Sequence, residues 1–181
     1  VGSAMYFYGN TAVEFADSGS TFSLEGNTGL TMEAWVKPLS DSGQDSYILL
    51  KDSYTQKDEY IKGFDLAITD SLSSISASVY VGAGETRSIS APVPPLTSWT
   101  HLSVVYAGAE MNVYVNGELK APKPFSESKP VHVSPYSHPL TVGYGFSGII
   151  DEVKVFSYGK SAGQVLESMN CPSFLEKEKL V

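Results

Sequence analysis

Carboxylates, histidines and one aspartate in an apolar strand are the residues of this 181-residue chain that could do chemistry. Two-carboxylate glycoside hydrolysis needs a pair of acidic residues flanking one bond, and alternate positions of one strand would present such a pair on a single sheet face. No such run occurs. Glu33 stands alone, flanked on its face by Thr31 and Trp35, and the adjacent Asp58 and Glu59 would point to opposite faces of a strand. His101, His132 and His138 lack a nucleophile context. The many serines lack a Gly-x-Ser-x-Gly elbow, so they read as solvated surface. The chain is expected not to be an enzyme.

Asp151 is the most suggestive single residue. In a strand over 148–156, Ile149, Asp151, Val153 and Val155 share one face, while Ile150, Glu152, Lys154 and Phe156 share the other. Two charges mark the second face as solvated, which places Asp151 inward. An inward carboxylate needs compensation from hydrogen-bond donors, a cation or a raised pKa. Two readings stand: a carboxylate held by backbone N–H groups or serine hydroxyls, or a ligand of a structural Ca²⁺.

The elements that must position these residues are strands. Short apolar alternations cover 4–8, 11–15, 30–37, 46–51, 61–68, 73–82, 86–90, 101–106, 110–116, 139–144 and 148–156, separated by turn residues. Asn116-Gly117 accepts the positive φ angles of a two-residue type I′ turn and predicts a hairpin there. Ala91-Pro-Val-Pro-Pro95 interrupts ladder pairing and reads as a crossing loop. The segment 121–139, with five prolines, reads as a long loop holding at most one short strand. Only 161–169 reads as helical, with Ser161 and Gln164 as a capping box and Val165, Leu166 and Met169 as its stripe. So many strands in one chain imply an all-β fold of two packed antiparallel sheets, closed by one short C-terminal helix.

This pattern resembles a family. Ala4-Met-Tyr-Phe-Tyr-Gly9, Leu30-Thr-Met-Glu-Ala-Trp-Val-Lys-Pro38, Trp99-Thr-His-Leu-Ser-Val-Val-Tyr106, Val113-Tyr-Val-Asn-Gly117 and Gly148-Ile-Ile-Asp-Glu-Val-Lys-Val-Phe156 look like laminin-G-like domains of the concanavalin A-like lectin/glucanase superfamily. The resemblance covers about residues 4–168 and implies a jelly-roll β-sandwich. It also implies that Asp151 sits on a calcium whose shell is completed near the first strand, where Gly9 and Asn10 match. Trp35 and Trp99 match tryptophans that such domains place structurally, so Trp99 is expected in the core.

A binding surface is sought on the outward alternation. Glu33, Trp35, Asp65, Tyr80, His101, Asn112 and Tyr114 all fall on it. Aromatic rings beside carboxylates and amides suit sugars, because pyranose C–H faces stack on the ring and the polar groups bond hydroxyls. Two sheets have two outer surfaces, so these residues do not form one site. The ligand set is taken as Glu33, Trp35, Asp65, Tyr80, Asn112 and Tyr114. Loops 40–46, 52–59 and 121–138 are further candidates; the carboxylates and tyrosine of 52–59 read as a charged hairpin tip.

Composition narrows the classes. A net charge of −8 with scattered basic residues disfavours nucleic acid. No apolar run is long enough to insert in a membrane. Cys171 is the single cysteine, either a bystander or the partner of a cysteine in a larger chain. Val1-Gly-Ser3 reads as a domain boundary or a cloning scar. The expected organisation is one domain over 1–170 and a dispensable tail or linker over 171–181. The expected role is an extracellular or cell-surface, non-catalytic recognition module among other domains of a secreted chain. Glycan binding is the first reading, and protein–protein adhesion or a structural spacer the alternative.

Overall fold

Alternation of apolar and polar side chains builds both layers of the molecule. The computed structural model describes residues 4–16, 24–41, 45–54, 60–69, 71–133 and 139–170, the side chains of 52–54 and 60–62 excepted. Two antiparallel sheets of six strands pack face to face. Sheet A runs β1 (Met5–Tyr8), β12 (Ser147–Phe156), β3 (Leu30–Pro38), β8 (Thr100–Tyr106), β9 (Glu110–Val115) and β10 (Glu118–Pro124). Sheet B runs β2 (Val13–Phe15), β11 (Leu140–Val142), β4 (Ser46–Tyr54), β5 (Tyr60–Thr69), β6 (Ser74–Tyr80) and β7 (Thr86–Pro92). This is the two-sheet sandwich that the alternation implies and the jelly roll that the resemblance implies. Met32, Ala34 and Val36 of β3 and Leu102 and Val104 of β8 meet Phe64, Leu66 and Ile68 of β5 and Ile75, Ala77 and Val79 of β6 in one core.

The hairpin turn forms as its residues require, with Asn116 at φ 51° and Gly117 at φ 75°. The strand leaving it, β10, occupies part of the segment that reads as loop. Its prolines 122 and 124 are tolerated because β10 is an edge strand, paired among the described residues with β9 alone. Pro92 likewise closes β7, the edge strand of sheet B, inside the stretch that reads as a crossing loop.

One helix, α1 (Ala162–Asn170), follows the last strand. Its capping box is reciprocal: Ser161 N–H donates to Gln164 Oε1 at 2.9 Å, and Gln164 N–H donates to Ser161 Oγ at 3.3 Å. Val165 is fully buried and packs on Val105 and Tyr114, so α1 lies across the outer face of sheet A. Cys171 and the 171–181 tail lie outside the described residues.

The inward placement of Asp151 is corrected. Register on β3 is Asp151 opposite Trp35 and then Lys154 opposite Glu33, with a bulge between them and Glu152 at φ 51°. The bulge switches the alternation. Before it, Ile150 points into the core; after it, Val153 and Val155 do. Asp151 therefore stands on the outer face, half-buried, where its Oδ1 accepts the Glu152 N–H at 2.8 Å.

Candidate functional site

The outer face of sheet A holds most of the residues expected to bind a ligand, and α1 covers several of them. Glu33 has no exposed surface: Oε2 accepts Lys160 Nζ at 3.0 Å and Ser168 Oγ at 2.5 Å, and Oε1 accepts Ser103 Oγ at 3.3 Å. Tyr114 is buried beneath Val165. Asn112 is half-buried and donates to Glu110 Oε1 at 3.2 Å. Glu33 and Tyr114 thus anchor the helix and cannot touch a ligand. The helix lies over them because the chain returns across its own sheet.

Beyond the helix, Trp35 remains half-exposed, with its ring 5.4 Å from that of His101. His101 is buried, and among the described residues its Nδ1 has no hydrogen-bond partner. Burial holds its pKa down at about 4; Glu33 opposes this, and Lys154 and Lys160 add to it. Trp99, expected in the core, precedes β8 and is 40% exposed.

The expected calcium ligands are not brought together. Gly9 N–H donates to Phe146 O just before β12, whereas Asp151 lies five residues further on, about 16 Å at strand rise. Asp151, Gly9 and Asn10 do not fit one coordination shell. Equal melting temperatures in EDTA and in millimolar CaCl₂ are expected of a protein without that shell. A rise of several degrees in calcium, abolished in Asp151→Asn, would reinstate it.

Sheet B presents a different outer surface. Ladder register aligns Tyr47, Ala67, Ser76 and Ser90 in one row across β4–β7 and Leu50, Asp65, Ser78 and Ser88 in the next. The serines and Ala67 are short, so four strands form the floor of a shallow trough, about 14 Å across at normal strand spacing. Its volume is about 400 Å³, with Asp45, Tyr47 and Lys123 at its margins. Ser78 Oγ donates to Asp65 Oδ2, which fixes that carboxylate among hydroxyls. Tyr144, 56% exposed, lies 6.3 Å from the Tyr47 ring.

Of the six residues expected to bind ligand, only Asp65 lines the trough, and it too is buried, at 5% exposed. Tyr80 is on the same face but buried, its hydroxyl accepting the Gly84 N–H at 3.1 Å. In the sequence the serines read as solvated surface; the signal of the trough is their period of two, at 74, 76 and 78 and again at 88 and 90. Asp58, Glu59, Tyr136 and His138 lie outside the described residues, and the side chains of Asp52 and Tyr54 are not described. A second cleft of about 590 Å³ is lined mainly by carbon, including Met5, Phe15, Leu24 and Val153, and offers little to a polar ligand.

A two-sheet antiparallel jelly roll of this kind is a lectin-like fold. The chain belongs to the concanavalin A-like lectin/glucanase superfamily, whose laminin-G-like family model matches residues 7–166. No curated protein sequence matches it. Solved structures show the same fold. The IT-sialidase CBM40 of Ruminococcus gnavus, bound to α2,3-sialyllactose, superposes with a TM-score of 0.72 at 15% identity, over 92% of this chain and 96% of that one. A leech intramolecular trans-sialidase complexed with 2,7-anhydro-Neu5Ac gives 0.72 at 16% identity, over 92% of this chain and 27% of that one. The botulinum neurotoxin serotype D binding domain gives 0.62 at 15% identity, over 88% and 39%. Among the described residues, no helix is long and apolar enough to cross a membrane.

Proposed function

We propose that this domain is a non-catalytic carbohydrate-recognition module that binds glycan in the trough of sheet B. The observation that carries the reading is the double row of short hydroxyl side chains beside Asp65, with Tyr47 at its end. Hydroxyls that both donate and accept match a sugar's own hydroxyls, and a half-exposed tyrosine ring offers a stacking face. The solved sialyllactose-bound CBM40 of the same fold supports the reading by analogy. An extracellular or cell-surface setting, within a larger chain, goes with it, since that is where such a module meets glycans.

The test is a glycan array followed by calorimetry on the best binder. Ser90 is exposed on the trough floor, so Ser90→Trp fills the site without touching the core. It is expected to weaken binding at least tenfold with an unchanged melting temperature. Retained affinity would move the site elsewhere, and release of reducing sugar by the wild type would overturn the non-catalytic part.

A protein-contact role is the second reading, favoured by one feature. Tyr6 and Tyr8 on the edge strand β1 are 50% and 71% exposed, with ring centroids 4.6 Å apart. Exposed tyrosines of this kind anchor protein interfaces. Tyr6→Ala/Tyr8→Ala leaves glycan binding unaffected if the trough is the site.

A further inference from the structure

We propose that the apolar cleft at the edge of the sandwich is a second binding site, for a linear aliphatic chain with an uncharged, hydrogen-bonding head. It is independent of the trough on sheet B. The cleft has a volume of about 590 Å³, within the range of small-ligand pockets. Val153 and Val155 of β12 and Met5 of β1 line it from sheet A; Phe15 of β2 and Leu140 and Val142 of β11 line it from sheet B. Phe64 and Val142 are fully buried at its floor, whereas Phe15 is exposed and Met5, Val153 and Val155 are only partly buried. The fold thus leaves apolar surface in a slot between its two layers, where an apolar guest gains by leaving water.

Position along β12 gives the slot its shape. Val155 and Val153 follow Ser157 at alternate residues, and Met5 stands opposite Ile150. From Ser157 to Val153 the lining runs about 13 Å at strand rise, and Met5 carries it further. A slot long in one direction and walled by hydrocarbon fits an extended alkyl chain. Its polar groups gather at one end. Phe156 pairs with Thr31, so β12 ends where β3 begins, which brings together Ser157 just after the one and Asn27 just before the other. Neither the Asn27 side-chain amide nor the Ser157 hydroxyl has a hydrogen-bond partner among the described residues. Each can donate and accept, which suits an alcohol or amide head. Among the described residues the lining holds no charged side chain, so an uncharged head costs least there.

The experiment displaces the neutral fluorophore N-phenyl-1-naphthylamine from the intact domain with straight-chain alcohols from hexanol to tetradecanol. One saturable site is expected, with affinity rising about three- to fourfold per added methylene and levelling off once the slot is full. Val153→Phe narrows the slot and is expected to weaken binding at least tenfold. Asn27→Ala removes the contact to the head and should weaken every alcohol several-fold at an unchanged melting temperature. Ser90→Trp, in the trough, leaves alcohol binding as it is. Absence of a saturable site in the wild type would overturn the proposal. So would an affinity that keeps rising with chain length without levelling, the mark of partition onto exposed apolar surface. Retained affinity in both folded cleft variants would put the alcohol elsewhere and overturn it equally. Each of these results leaves the glycan reading of the trough standing.

Discussion

Replacing Lys160 by methionine is expected to destabilise the domain by about 3–5 kcal/mol, the usual cost of leaving one member of a buried ion pair alone. Glu33 has no exposed surface and Lys160 is 8% exposed, so water cannot solvate the carboxylate that remains. Lys160 Nζ also sits 3.6 Å above the Phe156 ring centroid, and an uncharged side chain forgoes that cation–π attraction. For a domain of this size the melting temperature should fall by roughly 10 °C. The double variant Glu33→Leu/Lys160→Met is expected to regain most of the stability, because a well-packed apolar pair often matches a buried salt bridge. A single variant that melts within a degree or two of the wild type would mean that the Glu33–Lys160 pair adds nothing to the stability beyond what Ser103 and Ser168 already supply to the carboxylate.

Acidification is expected to remove a further part of the stability, through His101. Its pKa is about 4 in the folded protein against 6.5 as a free group. Between these values the unfolded chain binds the proton that the folded chain refuses, so stability rises with pH across this window. The contribution is fully present above pH 6.5 and is lost as pH falls through 6.5 towards 4. Its size is about 3 kcal/mol, at 1.36 kcal/mol per pKa unit. The cause is burial against Trp35 without a partner for Nδ1 among the described residues, so the protonated ring would be poorly solvated. Urea titrations at intervals from pH 4 to 8 should show the slope in the wild type and a flatter profile in His101→Gln. Identical profiles would assign acid sensitivity to the carboxylates.

Local alternation was enough to set the layers. A period of two selects which side chains of a strand face the core, and the stripes at 30–38, 64–68, 75–79 and 102–106 required two sheets whatever their order. Asn116-Gly117 dictated a turn because few other dipeptides tolerate both φ angles, and Ser161 with Gln164 dictated a helix start through purely local bonds. Five short motifs in the right order sufficed for the superfamily.

Which outer face stays open depends on packing between segments far apart in the chain. Glu33 and Tyr114 carry every local sign of solvent-facing positions, yet α1, more than 45 residues later in the chain, lies on top of them. Asp151 changed face because a bulge inserts residues into one strand without leaving a mark in the alternation of that strand alone; it is visible only against the partner β3. The trough is likewise a property of register. Ser76 and Ser90, or Asp65, Ser78 and Ser88, become neighbours only when β5, β6 and β7 align, since hydrogen bonding between strands, and nothing within any one of them, fixes which residues stand side by side.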